Sequence, residues 1–240
     1  METFVSPGLG REHRAGREFA PRHRHARPYA AIVLTGGYEE AGDLGRYHVR
    51  AGEALIHSHF EAHLDRFTAA GAEIFNLELP DDLGARPALV RVDDPDALVR
   101  LGERDPRAAV KLLLATVKPM QSRVSDWPDE LAAALIRNPE VRLSDWAREQ
   151  GLANATVSRG FRRVFGVSPC AFRARVRSRQ AWCGIVTSQT PLARLAADLG
   201  FADQAHMTRA VRMLTGLPAR AWRRPAGQMD SRTNGCGCLT

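Results

Sequence analysis

The spacing of apolar residues changes character along this chain, and the changes divide it. From Phe19 to about Leu79, short apolar runs alternate with turn signals: Tyr29 to Leu34, then Gly36-Gly37, Gly42 and Gly45, then Gly52 to Ile56, then Ala72 to Leu79. Short strands between glycine-rich turns predict a small antiparallel β-barrel or sandwich. Residues 1–18 are polar and aperiodic and read as a loose arm, and Pro80 to Pro87 makes a break. From Asp96 to Lys118 the period becomes helical, with Leu98, Leu101, Val110, Leu113, Leu114 and Val117 near i, i+3, i+4 spacing around an Asp105-Pro106 interruption. These helices either dimerise the protein or pack on the β domain. A further helix over Asp126 to Asn138 puts Leu131, Ala134 and Leu135 on one face and ends at Asn138-Pro139.

The next hundred residues carry one pattern twice. Ala147, Gly151, Leu152 and Ala153 line up with Ala196, Gly200, Phe201 and Ala202. After a one-residue insertion, Ser158-Arg159, Phe161-Arg162 and Gly166 line up with Thr208-Arg209, Val211-Arg212 and Gly216. Each copy reads as helix, tight glycine turn, helix. Ser144 and Asn154 are the expected caps in the first copy, and Asp203 caps the second helix of the second copy. A long helix from Pro169 to about Thr187 joins them, with proline in its first turn.

Charge follows this division. Residues 126–225 hold sixteen arginines against eight acidic residues, whereas residues 1–125 hold seventeen basic against eighteen acidic ones. The surplus sits on the repeat, where neutralising phosphates requires it. In the first copy Val157, Phe161 and Val164 point inward, leaving Ala155, Thr156, Ser158, Arg159, Arg162 and Arg163 outside. Arg159 is the expected guanine reader, since its planar fork matches O6 and N7 together. Thr156 and Ser158 are placed for bases or phosphates, and Arg163 for a phosphate. In the second copy Met207, Val211 and Leu214 face in, and Gln204, His206, Arg209 and Arg212 face out. Gln204 suits adenine and Arg209 guanine.

On these residues, the segment from about Asp126 to Arg224 resembles the DNA-binding domain of the AraC/XylS family of bacterial transcription regulators. The matches are LSDWAREQGLANATVSRGFRRVFGVSP, the linking CAFRARVRS and, most specific, GFADQAHMTRAVR. The resemblance implies a seven-helix domain with two recognition helices. It places base-contacting positions on Ala155, Ser158 and Arg159, and on Gln204, Ala205, His206 and Arg209. Val211 stands where such proteins more often carry Phe.

In the β region, Gly16, His23, His25, Tyr29 and Gly36, followed by Gly52, Ser58, Phe60 and His63, have a spacing that resembles the two cupin motifs. His23, His25 and His63 keep three of the four ligand positions. Tyr29 replaces the Glu, and His57 and His59 are near enough in sequence to substitute. The histidines fit three readings: a divalent-metal site, a metal-free effector pocket, or a structural barrel.

The expected architecture is an α+β two-domain chain: a cupin-like antiparallel β-barrel sensor with its arm (1–90), linker or dimerisation helices (91–125), an all-α domain with two helix-turn-helix motifs (126–225) and a disordered tail (226–240). The expected function is a regulator that binds double-stranded promoter DNA and answers to a small-molecule effector. Its partners would include a second copy as a homodimer and RNA polymerase if it activates. The alternative is a metal-dependent cupin enzyme or metal sensor with an accessory DNA-binding domain. A DNA-repair methyl acceptor is set aside because Cys170 is the first cysteine in the chain. Cys236-Gly-Cys238 falls in the tail. No apolar run reaches eighteen residues and no signal-peptide pattern opens the chain, so a soluble cytoplasmic protein, no enzyme, is expected.

Overall fold

The computed structural model describes residues 4–81, 88–121 and 126–223, so the expected tail with Cys236 and Cys238 lies outside the described residues. The chain forms two compact units, the first running to Asp126 and the second starting at Trp127.

The first unit is an antiparallel sheet with two helices. Its strands are β1 (Gly10–Arg14), β2 (Phe19–Arg24), β3 (Tyr29–Gly42), β4 (Gly45–Arg50), β5 (Glu53–His57), β6 (Ala62–Glu78), β7 (Leu89–Arg91) and β8 (Lys118–Pro119). The order β1-β6-β3-β5-β7-β8 is completed by β2 pairing with β6 and β4 with β3. The long strands β3 and β6 are therefore shared. The start of β3 pairs with β5 and its end with β4, while the start of β6 pairs with β2 and its end with β1.

Two register irregularities in the β3–β6 pair, between Val33 and Thr35 and between Gly36 and Tyr38, decide which side chains face the interior. Ahead of them the inward residues are odd-numbered, Tyr29, Ala31 and Val33, and after them the inward residue is Tyr38. On β6 the parity likewise passes from Phe67 to Ala72 and Ile74. A bulge adds residues to one strand and inverts the alternation, so one face stays apolar across the bend. Gly36 makes the bend possible: its φ is +69°, and a Cβ there would sit 2.0 Å from the Gly71 carbonyl oxygen.

Helices α1 (Pro95–Gly102) and α2 (Pro106–Thr116) begin alike, with Asp94 and Asp105 accepting from the N–H groups of Ala97 and Ala108 and a proline following each cap. Leu98, Val99, Ala109, Val110 and Leu113 are buried, and Gly102 lies against the Phe75 ring. The segment expected as a linker thus belongs to the first unit, packed on its sheet.

The arm expected to be loose is also built in. Phe4 bridges to Arg24, the Val5 N–H donates to the Arg24 carbonyl at 2.9 Å, and residues 10–14 form β1. The inward positions of β1 include Glu12 and Arg14, which pair with each other. A strand whose buried side carries an ion pair shows no apolar alternation, which is why it read as irregular.

The second unit contains α3 (Trp127–Arg137), α4 (Leu143–Glu149), α5 (Asn154–Phe165), α6 (Pro169–Thr187), α7 (Leu192–Asp198), α8 (Gln204–Thr215) and a closing 3-10 turn (Ala219–Trp222). Its first half centres on Phe161, Phe165 and Phe172, with ring centroids 4.5–5.4 Å apart. Trp182 and Trp222 meet edge to face at 5.8 Å in the second half. The two turn glycines have nearly the same backbone, φ +66° at Gly151 and +67° at Gly200.

Two expected caps are corrected. Helix α4 starts at Leu143 behind Arg142, and α5 starts at Asn154 behind Ala153, neither with a side-chain cap. The carbonyls of Arg142 and Ala153 receive the first helical N–H groups instead, leaving Ser144 and Asn154 already inside the helices. Asp203 does cap α8, accepting from the His206 N–H at 2.6 Å. Val164 is half-buried, and the deeper residue is Phe165.

Gly160 lies on α5 where a Cβ would come 2.3 Å from the Trp127 ring. Gly160→Ala therefore lowers the unfolding free energy by about 1–3 kcal/mol through overpacking, even though alanine is the better helix former. Urea unfolding monitored by tryptophan fluorescence measures it, and an unchanged or higher midpoint would contradict the packing.

Candidate functional site

Helices α5 and α8 each follow a glycine turn and present one apolar and one polar face. On α5, Val157, Phe161 and Phe165 are buried, while Ala155, Thr156, Ser158, Arg159, Arg162 and Arg163 are exposed. On α8, Met207, Val211 and Leu214 are buried, while Gln204, Ala205, His206, Arg209 and Arg212 are exposed. Val211, smaller than the usual Phe, is still fully buried. The His206 ring stands edge-on to Phe201 at 5.3 Å. Every residue expected to read DNA is thus on a solvent-facing helix surface in the second unit. An exposed helix N-terminus carrying Arg and Gln is what a major groove accepts.

The first unit holds a different kind of site. Strand pairing sets His23 opposite His63, and Gly42 on β3 opposite His63 from the other side. The Nε2 atom of His63 lies 3.0 Å from that of His23 and 3.3 Å from that of His25. Around an ion with metal–nitrogen bonds of about 2.0–2.1 Å, tetrahedral nitrogens stand about 3.3–3.4 Å apart, so the separations suit one shared cation.

The opposite edges of the rings are occupied. His23 Nδ1 lies 2.9 Å from the Pro21 carbonyl oxygen and His25 Nδ1 lies 2.7 Å from that of Val5. A carbonyl only accepts, so both Nδ1 atoms carry the proton and both Nε2 lone pairs face the cluster. Pro21 interrupts the β2 register between Ala20 and His23, and its carbonyl is turned to this use.

Behind His63 lies Glu40, with Oε2 3.0 Å from His63 Nδ1 and 3.5 Å from His57 Nε2. Both nitrogens are buried at contact distance but off the hydrogen-bond axis, so neither makes an aligned bond. Two donor sets emerge, His23-His25-His63 and Glu40-His57-His63, sharing His63. His59 takes no part; its Nε2 is 3.1 Å from Asp81. Tyr29, where the motif's Glu would stand, stacks on His57 and puts its hydroxyl 3.5 Å from His63 Nε2.

Burial governs the protonation. It lowers the pKa of His23, and pushes that of His25 down to about 4, helped by the nearby His23. His57 and His63 fall well below the ordinary range for the same reason, with neighbouring histidines adding to it. All four are therefore neutral near pH 7, the form that ligates metals. Burial raises Glu40 well above the carboxylate range, with Asp65 and Glu61 adding to it, and raises Asp65 to about 7. A cavity of about 90 Å³ opens beside the cluster, lined among others by Glu12, Arg14, Tyr38, Glu40 and Asp65. Its only cation among these, Arg14, is already paired with Glu12 and Glu18. Glu40 and Asp65 were not expected from the sequence; their inward aim depends on the bulged register of β3 and β6.

Residues 146–225, one third of the chain, match the family profile described as a helix-turn-helix domain. Among solved structures, the chain is similar to the C-terminal domain of AraT, a response regulator from Geobacillus stearothermophilus. The two share 16% identity over 46% of this chain and 96% of that one, with a TM-score of 0.41. It is similar to unsaturated fatty acid-bound ToxT from Vibrio cholerae at 10% identity over 89% and 93% of the two chains, TM-score 0.42. A probable AraC family transcriptional regulator from Rhodopseudomonas palustris shares 22% identity over 39% and 94%, TM-score 0.35. Comparison with curated proteins gives no match.

The paired motifs, their exposed polar faces and the profile match define a DNA-binding domain of the kind found in transcription regulators. The chain joins this helix-turn-helix domain to an antiparallel β unit. No helix among the described residues is long and apolar enough to cross a membrane.

Proposed function

We propose that this chain is a sequence-specific transcription regulator in which α5 and α8 enter successive major-groove segments of promoter DNA and the β unit takes a divalent cation on His23, His25 and His63. Arg159 and Arg209 read bases, Gln204 reads an adenine, and Arg162, Arg163 and Arg212 serve phosphates. Ala155 and Ala205 offer only methyl contact, which suits a thymine methyl group. The observation that carries the cation reading is the convergence of three Nε2 atoms, two of them with Nδ1 held by main-chain carbonyls. Their spacing is that of nitrogens sharing one small cation.

The pocket's lining supports the same reading. The cavity is lined by the carboxyl oxygens of Glu12, Glu40 and Asp65, and its arginine is already paired with Glu12 and Glu18, so oxygen donors and no unpaired arginine among these residues face the space beside the histidines. His23, His25 and His63 would hold the ion, leaving its remaining positions toward the cavity. The bound cation is the signal, and it acts by stabilising one arrangement of the protein over another.

The DNA assignment is tested by selecting the preferred site from random duplexes and titrating the variants against it. Arg163→Ala should weaken binding about equally on all sequences and reduce the salt slope by about 1, as loss of a phosphate contact does. A change confined to one base position would instead make Arg163 a base reader.

A further inference from the structure

The geometry points to Glu40 as a positioning residue for metal binding: its carboxylate orients His63, the shared third ligand, from outside the coordination sphere. The inference rests on the cation reading above and adds a residue that the cupin-like spacing does not contain.

Consider how each ligand's proton is placed. His23 and His25 have Nδ1 against main-chain carbonyls of Pro21 and Val5. His63 has no such carbonyl; the acceptor facing its Nδ1 is Glu40 Oε2, at 3.0 Å. An imidazole presents a lone pair at Nε2 only when its proton sits at Nδ1, and the group set against that nitrogen is Glu40, in contact but off the hydrogen-bond axis; a small turn of the ring onto a cation would align the two. Carboxyl group, ring and donor atom would then lie in one line.

The fold makes room for this line. Glu40 is two residues before Gly42 on β3, so both point to the same face, and Gly42 is the register partner of His63. A Cβ at Gly42 would stand 3.0 Å from the His63 Cβ and 3.6 Å from Glu40 Oε1. The absent side chain is what lets the carboxylate reach the ring edge. His57 Nε2 stands 3.5 Å from the same oxygen, without an aligned hydrogen bond, and Asp65 hydrogen-bonds the Glu40 side chain. Glu40, His57 and His63 are each about 2% exposed, so water does not compete for these contacts.

The motif's own Glu would have been a direct ligand at position 29. Here a phenol stands there and the acid is displaced to the outer side of His63. The inner sphere would be left as three imidazoles, with the carboxyl group one ring away.

Cobalt(II) alone, titrated into the full chain in competition with a chromophoric chelator, tests the assignment. Wild type, Glu40→Ala and Glu40→Gln are compared by affinity, by stoichiometry and by the ligand-field spectrum. The expected result is one ion per wild-type chain and an affinity about 10–100-fold lower in Glu40→Ala at unchanged stoichiometry. Glu40→Gln keeps volume and an acceptor oxygen, folds where alanine destabilises, and should fall between the two. Wild-type affinity and spectrum in both variants would overturn the positioning role. Two ions in wild type and one in the variants would overturn it as well, making Glu40 a direct ligand of a second site with His57. If wild type itself takes up no cobalt, the cation reading fails before Glu40 is judged.

Discussion

Replacing His23 and His63 together by alanine is expected to abolish metal binding by the β unit. The purified, tag-free wild-type protein should carry close to one divalent ion per chain, and the double variant none. Two of the three converging Nε2 donors are removed, and a lone imidazole is not a chelate. The loss has a second readout in stability. A ligand present at a thousand times its dissociation constant stabilises the folded state by about 4 kcal/mol. Chelator treatment should therefore lower the melting temperature of the wild type but leave the variant unmoved. His63 is about 2% exposed, so the variant also loses packing, and the comparison within each protein, with and without chelator, removes that contribution. Metal retained by the variant would place the site elsewhere. No metal in either protein would leave the histidines as lining residues and turn attention to an organic effector.

The second large effect concerns DNA. Arg159→Ala and Arg209→Ala should each cost about 1–3 kcal/mol on the selected site and relax preference at one base position. The two residues are exposed on separate recognition helices, α5 and α8, so their costs should add to about 2–6 kcal/mol in the double variant. Non-specific binding, which depends on phosphates, should change little. Fluorescence anisotropy on the selected duplex and on a scrambled one separates these cases. Equal losses on both duplexes would show that the arginines meet the backbone and not bases.

Much of this arrangement is legible in the residues themselves. The tandem motif is visible because glycine at 151 and 200, and apolar residues at fixed distances from them, are required by a turn that repeats nearly the same backbone twice. The Asp-Pro pairs at 94–95 and 105–106 mark helix starts through a cap and a pre-set φ. Other features depend on partners far along the chain. Strand β1 hides behind its inward Glu12–Arg14 pair. The role of Glu40 depends on the register between β3 and β6, which the bulges shift by amounts that no local pattern encodes. His59 is nearer to His63 in sequence than His57 is, yet His57 faces the cluster and His59 bonds Asp81. Strand alternation would put both on one side; the departure begins where β5 ends, at His57.

The contact between the Val5 carbonyl and His25 Nδ1 bears on how the protein should be handled. The histidine cluster is not complete within the β-sheet, because His25 is set by an amide group that precedes the first strand. Trimming the chain to the start of β1 would free His25 to rotate or to shift its proton to the other nitrogen. A fragment of that kind should differ from the full chain in any cobalt titration. Reporters and purification handles are better placed away from this end.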